Sequence, residues 1–122
     1  MGRQEVKVIA DTNVLVRAVV RDDAAQARAA AKLLKSAESV AVALPCLCEF
    51  VWVLRQVYSL ASDDIARAIR ALLEAANVQV NRPAVEAGLA MLESNVDFAD
   101  GVIAYEGVWL GGETFVSFDK RA

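Results

Sequence analysis

Short apolar runs of strand character alternate with longer stretches of helical period along this chain, and that alternation most constrains how it can fold. Residues 6–10, 40–44, 78–80 and 114–118 read as strands, the first as Val-Lys-Val-Ile-Ala and the last as Thr-Phe-Val-Ser-Phe. Helix candidates lie between them over 13–20, 24–37, 45–58, 83–93 and 97–110. A further helix is opened by Ser62 as N-cap, with Asp63 and Asp64 in its first turn, and carries Ile65, Ile69, Leu72, Leu73 and Ala76 along one face. Pro45 and Pro83 suit first helical turns, and Gly111-Gly112 reads as the stop of the last helix. The expected class is α/β, with a mostly parallel central sheet of four or five strands covered on both faces. In such sheets ligands bind outside the carboxyl ends of the strands, and Asp11 and Asp119 follow two of those ends.

At 122 residues the chain is the size of one domain, and no repeat or Pro/Gly-rich linker divides 1–122. An apolar fraction of 57% excludes disorder. The absence of histidine excludes histidine triads, paired-histidine ribonuclease chemistry and H-E-x-x-H zinc enzymes. Hydrolytic chemistry must then rest on carboxylates, cysteine, lysine, hydroxyls or an oxygen-held metal. A net charge of −3 leaves no basic footprint over the whole chain. Cys46 and Cys48 sit two apart, which suits neither an intrachain disulfide nor a four-ligand zinc site; core packing in a reducing compartment is expected. No apolar run reaches membrane-spanning length, and the N-terminal residues lack a signal-peptide core, so a cytoplasmic, membrane-free protein is expected.

Most acidic residues here look solvated, but four stand in apolar company. Asp11 follows Val-Ile-Ala, Glu49 lies between Leu47 and Phe50-Val51-Trp52, Asp100 sits between Phe98-Ala99 and Val102-Ile103, and Asp119 follows Phe118. Asp97 shares a helical face with Asp100. Each alone reads as a cap or a rim residue. Brought together, two carboxylates ~5 Å apart repel by roughly 3 kcal/mol at an effective dielectric near 20, so the cluster calls for protons or a cation. Magnesium, with manganese as the alternative, is the hard, oxygen-loving counterion. Held by carboxylates, such an ion activates water for attack on a phosphodiester.

Four pieces in this order resemble the PIN-domain ribonucleases and, within them, the VapC-type toxins of toxin–antitoxin modules. They are Ala10-Asp11-Thr12-Asn13-Val14-Leu15-Val16-Arg17, Cys48-Glu49-Phe50-Val51-Trp52-Val53-Leu54, Asp97-Phe98-Ala99-Asp100-Gly101-Val102-Ile103-Ala104 and Phe118-Asp119-Lys120. Asp22 and Gln26 also fit the family's usual entry into its second helix. The resemblance implies a three-layer α/β/α sandwich and an acidic metal pocket of Asp11, Glu49, Asp100 and Asp119, with Asp97 as an accessory acid. Asn13 would orient Asp11 or the water, and Ser117 would hydrogen-bond in the same pocket; an Asx turn and an exposed strand hydroxyl are the plainer readings. The implied activity is a magnesium- or manganese-dependent endoribonuclease. The implied partners are an RNA substrate, a cognate small antitoxin, a second copy in a homodimer, and operator DNA through the antitoxin alone.

Arg17 and Arg21, just beyond Asp11, are the candidates for substrate phosphates, whereas Arg55, Arg67 and Arg70 read as a solvated face. Trp52, Tyr58, Tyr105 and Trp109 could stack bases, but their spacing favours core or dimer-interface packing. Trp52 is expected near a dimer seam or antitoxin groove. The competing readings are a catalytically silent subunit of an operator-DNA complex, and a haloacid-dehalogenase-type phosphatase. The phosphatase needs a second Asp two residues after the first, where Asn13 stands.

Overall fold

The computed structural model describes residues 4–118 of the 122. In chain order the elements are β1 (Gln4–Ile9), α1 (Thr12–Val20), α2 (Ala24–Ser36), β2 (Ala37–Ala41), α3 (Leu44–Gln56), α4 (Ser62–Glu74), β3 (Val78–Gln79), α5 (Arg82–Glu93) and α6 (Phe98–Trp109). The strands form one parallel sheet in the order β1-β2-β3, so each strand-to-strand passage crosses over through a pair of helices. This is the expected α/β architecture, with three strands among the described residues rather than the four or five expected.

Strand register explains which face is buried. Val8, Val40 and Val78 form a row across the sheet, with Val40 fully buried and the other two packed on the core. One step along, Ile9, Ala41 and Gln79 form the opposing row, and all three are exposed. Cover on the two faces is therefore unequal. The core behind the valine row is built from Leu15 of α1, Leu47, Phe50 and Leu54 of α3, Ile65 and Ile69 of α4, Val85, Leu89 and Leu92 of α5, and Phe98 of α6. Burial of such side chains contributes about 1.5–3 kcal/mol each, which gives the helices their hold on the sheet. Cys46 and Cys48 are free thiols packed at the edge of this core, as their spacing suggests.

A buried amide ties the crossovers together. Asn77 donates from Nδ2 to the carbonyl oxygens of Leu34 (2.7 Å) and Ala37 (3.0 Å), while its backbone carbonyl accepts from the Val40 amide at 2.7 Å. The end of α2, the start of β2 and the approach to β3 are thereby held to one another with their polar groups satisfied.

Several boundaries differ from the sequence reading. β2 lies earlier than residues 40–44, because Ala43 is the N-cap of α3 and Leu44 and Pro45 already belong to its first turn. Ser62 is not the cap of α4 but its first residue; Ala61 takes the cap position, and the Ser62 hydroxyl accepts from Arg55 Nη2 at 2.8 Å. Gly111-Gly112 does stop the last helix. Gly111 adopts φ +98°, and the amides of Gly111 and Gly112 return to the carbonyls of Val108 (3.0 Å) and Gly107 (2.9 Å), a Schellman closure that needs glycine at the first position.

The expected strand over 114–118 does not form. After the glycine stop the chain lies beside α6, where Thr114, Phe115 and Val116 share a recess with Ile103, Gly107 and Val108. Phe115, Val116 and Phe118 stay exposed, and among the described residues β1 pairs on one side alone, with β2. An alternating apolar segment becomes a strand when a neighbouring strand shares its ladder of hydrogen bonds, and among the described residues no strand lies beside this one. Of the aromatics read as core or dimer-interface residues, Trp52 and Trp109 are exposed in the single chain and so lie outside its core.

Candidate functional site

Asp11 stands where β1 gives way to α1. The Ala10 amide is held by the Ala41 carbonyl at 2.9 Å, which ends the strand, and the Asp11 carbonyl accepts from the amides of Val14 (3.1 Å) and Leu15 (3.4 Å), which starts the helix. Asp11 is thus the N-cap by backbone, yet its side chain makes no capping bond and is exposed. That is unusual use of a good capping residue, and it leaves the carboxylate available at the carboxyl end of an outer strand.

Glu49 reaches the same place from α3. A cleft of about 270 Å³ is lined by Asp11, Thr12, Asn13 and Glu49, with Val16, Val53, Val57 and Tyr58 forming its apolar wall and rim. Thr12 is almost fully buried, and its hydroxyl donates to Glu49 Oε1 at 2.7 Å. The Cys46 sulfur lies 3.5 Å from the same hydroxyl and directs its own thiol proton to the Ala10 carbonyl at 3.6 Å. Burial pushes the Cys46 thiol up from its ordinary value; the Thr12 contact opposes this, and the negative charges of Asp11 and Glu49 add to it. The thiol therefore stays protonated, and a neutral donor rather than a third anion lies against Thr12 and the Ala10 carbonyl.

A second recess of about 350 Å³ opens on the other side of α1, lined by Asp11, Asn13, Arg17 and Gln26 among others. Asp11 and Asn13 consequently stand on the ridge between two hollows. Arg17 Nη1 pairs with Asp22 Oδ1 at 3.1 Å, while Asp22 Oδ2 accepts from the Tyr58 hydroxyl at 3.4 Å. Arg17 Nε is buried with no hydrogen-bond partner among the described residues. Arg21 closes α1 in the left-handed region, φ 60°, and is exposed.

Two further candidates, Asp97 and Asp100, are carried by the start of α6. Asp97 caps α6, accepting from the Ala99 amide at 3.2 Å, so its carboxylate has a structural task. Its charge is felt by Cys48, whose thiol is raised first by burial, then by Asp97 and Glu106. Asp100 is half-buried in the first turn of α6, its amide bound to the Asp97 carbonyl at 3.2 Å. Ser117 lies in the exposed stretch after α6, and Asp119 falls outside the described residues. The structure thus brings together Asp11, Asn13 and Glu49, with Arg17 at the neighbouring recess. Among the described residues no three cysteine or acidic side chains are gathered closely enough to hold a metal ion.

Sequence reasoning missed Thr12 and Asp22. Thr12 lies 37 positions from Glu49, and nothing in the spacing of either residue announces the pair. Asp22 looked like an ordinary solvated acid, yet it links Arg17 to Tyr58.

The PIN-domain family matches this sequence over residues 8–122, a span that includes every element except the first four residues of β1. The chain belongs to the PIN-domain family. No curated protein gives a significant match. PIN domains are typically nucleases that depend on divalent metals, so this PIN chain carries the fold of a phosphodiester hydrolase. The donors in its cleft fit such an ion chemically. They are two carboxylates, a hydroxyl and an amide, all hard oxygen donors, and magnesium characteristically takes one or two protein carboxylates with water and substrate phosphate completing its shell. No helix among the described residues is long and apolar enough to cross a membrane.

Proposed function

We propose that this PIN-domain chain is a magnesium- or manganese-dependent endoribonuclease, the toxin of a toxin–antitoxin pair. The observation that carries the reading is the convergence of Asp11 and Glu49, from two different crossovers, in one cleft at the end of β1, with the Asp11 side chain unused as a cap. In this reading Asp11 and Glu49 hold the ion, joined by Asp100 and Asp119, while Asp97 serves as α6 cap and outer acid. When bound, the metal supplies charge neutralisation at the scissile phosphate and an acidified water. Asn13, on the ridge beside Asp11, orients that carboxylate or the water. Arg17 and Arg21 receive flanking phosphates, Arg17 exchanging its Asp22 partner for substrate.

The partner proposal has its own support. An apolar recess of about 390 Å³ is walled by Leu15 and Val19 of α1, Ala31 and Leu34 of α2, and Ala68 and Leu72 of α4. Its depth and lining suit an apolar peptide segment of a small antitoxin, through which operator DNA would be reached. The exposed Trp52, Val57 and Trp109 support a homodimer. Zero histidine and the acidic cleft agree with a cytoplasmic metal-dependent enzyme rather than with histidine-based cleavage.

The test is cleavage of total RNA in magnesium, in manganese and in EDTA, by the wild type and by Asp11→Asn. Cleavage that needs the metal and falls at least ~100-fold in the variant is expected, since the substitution removes a transition-state contact rather than a structural one. The variant should melt no lower than the wild type, because it removes one charge from an acidic cleft. Full activity in EDTA, or in Asp11→Asn, would sink the metal mechanism. A folded protein that cuts no RNA would favour the silent operator-complex subunit.

A further inference from the structure

Glu49 is an exposed glutamate on a helix face, a side chain with several rotamers of similar energy, yet the site needs its carboxylate in one place. Thr12 supplies that constraint in three ways. It is buried at the first helical position of α1, directly after the strand end that places Asp11. Its β-branched side chain has a restricted χ1, so its hydroxyl is a fixed point. The one hydroxyl proton has two acceptors within reach, the Cys46 sulfur at 3.5 Å and Glu49 Oε1 at 2.7 Å, and the short charge-assisted bond to the carboxylate wins. The Cys46 thiol donates instead to the Ala10 carbonyl, so it does not compete for Glu49. Glu49 Oε2 has no protein donor among the described residues.

We propose that Thr12 is the positioning residue for Glu49, pinning one carboxylate oxygen so that the other is presented, already ordered, to the cation shared with Asp11. The inference rests on the nuclease reading for its consequence in catalysis, but not for its geometry. It assigns a task to the residue between Asp11 and Asn13, which neither of those acid-site roles requires. Hydrogen-bond partners behind a metal ligand typically contribute ~10–100-fold to affinity or activity. A donor lost here returns Glu49 to its rotamer ensemble.

The experiment compares wild type, Thr12→Val, Thr12→Ser, Glu49→Gln and the Thr12→Val/Glu49→Gln double variant, with two readouts. The first is Mn²⁺ binding by calorimetry on the RNA-free protein; the second is the kcat and KM of RNA cleavage. Thr12→Val should weaken Mn²⁺ binding and lower kcat by about 10-fold each, with KM moving less than about twofold. Thr12→Ser, which keeps the hydroxyl, should recover both to within about threefold. The double variant should be no worse than Glu49→Gln alone, because Thr12 acts through that carboxylate. Should valine disturb folding, Thr12→Ala makes the same comparison without the second branch. Unchanged Mn²⁺ binding in Thr12→Val, equal losses in Thr12→Val and Thr12→Ser, or additive losses in the double variant would each overturn the proposal. A wild type that binds Mn²⁺ in a Thr12-dependent manner but cuts no RNA would defeat the nuclease reading and leave the positioning role standing. A wild type that neither binds Mn²⁺ nor cleaves would overturn both.

Discussion

The seam between α5 and α6 and the outer side of β1 both carry apolar residues and are opposite in structure. At the seam, a Cβ on Gly101 would overlap the Ala87 carbonyl, and one on Gly88 would meet the Phe98 ring at 2.6–2.9 Å. Backbone approaches backbone there, and Phe98 is fully buried. At the outer side of β1, Ile9 is 83% exposed and Val6 is 47% exposed, with no further strand beside β1 among the described residues. The difference matters because each region ends in an acid. Asp100 is the neighbour of Gly101 and inherits a position set by dry packing without slack. Asp11 follows the open strand, and the Asp11–Glu49 cleft is arranged by hydrogen bonds through Thr12 and Cys46. One half of the proposed site is held by shape, the other by polar contacts that single atoms can undo.

The largest effect is expected from breaking the tight half. Gly101→Ala must push α6 off α5, since the obstructing atoms are backbone and cannot rotate away. A loss of about 3 kcal/mol, the upper end for overpacking, should appear as a lower midpoint in urea unfolding. The displaced first turn carries Asp100, so RNA cleavage should fall beyond what the unfolded fraction explains. A variant within about 0.5 kcal/mol of wild type would mean that the seam has room the geometry does not show.

Gly88→Ala sharpens the same contrast, because its obstruction is a side chain. Alone it should cost about 2 kcal/mol, for the Phe98 ring has no exposed direction in which to move. Phe98→Leu removes the far ring carbons and should cost about 1–2 kcal/mol by leaving a cavity. Together the two should cost less than their sum by about 1 kcal/mol, the added methyl filling part of the space. Strict additivity in a double-mutant cycle by denaturant unfolding would show that Gly88 and Phe98 do not share one space.

How much of this was legible beforehand follows from the same physics. The helices, the first three strands and the glycine stop after α6 are local patterns, each readable within one segment, whereas the valine row is set by register between strands. Asp11, Glu49 and Asp100 stood out because a carboxylate among apolar residues is costly without a purpose. Thr12 did not stand out, because its partner lies on another helix and a threonine after an aspartate is ordinary. Ser62 misled for a related reason: a good capping residue followed by two acids suits a cap, but Arg55 of α3 engages its hydroxyl and the helix begins one residue earlier. The run 114–118 misled because alternation encodes a face and not a partner.

The smallest effect is expected where the contrast predicts tolerance. Ile9→Lys places a charge on the edge strand of the described sheet, at a position that buries almost nothing, in a row whose other members, Ala41 and Gln79, are also exposed. Unfolding free energy should change by less than about 0.5 kcal/mol, as for surface substitutions in general. The same residue in a core row would cost several times more, because its ammonium would lose water without gaining a partner. Lysine on an edge strand also opposes edge-to-edge association, so the variant should remain monodisperse at higher concentration than the wild type by light scattering. A destabilisation of about 2 kcal/mol or more would show that something packs on Ile9 in solution, and that the open side of β1 is covered. Because Ile9 lies two residues before Asp11, RNA cleavage by the same variant gives the complementary reading. Activity near that of the wild type is expected if the cleft depends on Thr12 and Glu49 rather than on cover over the strand. A loss confined to activity, with unfolding unchanged, would move the control of Asp11 from the polar contacts back to the strand that precedes it.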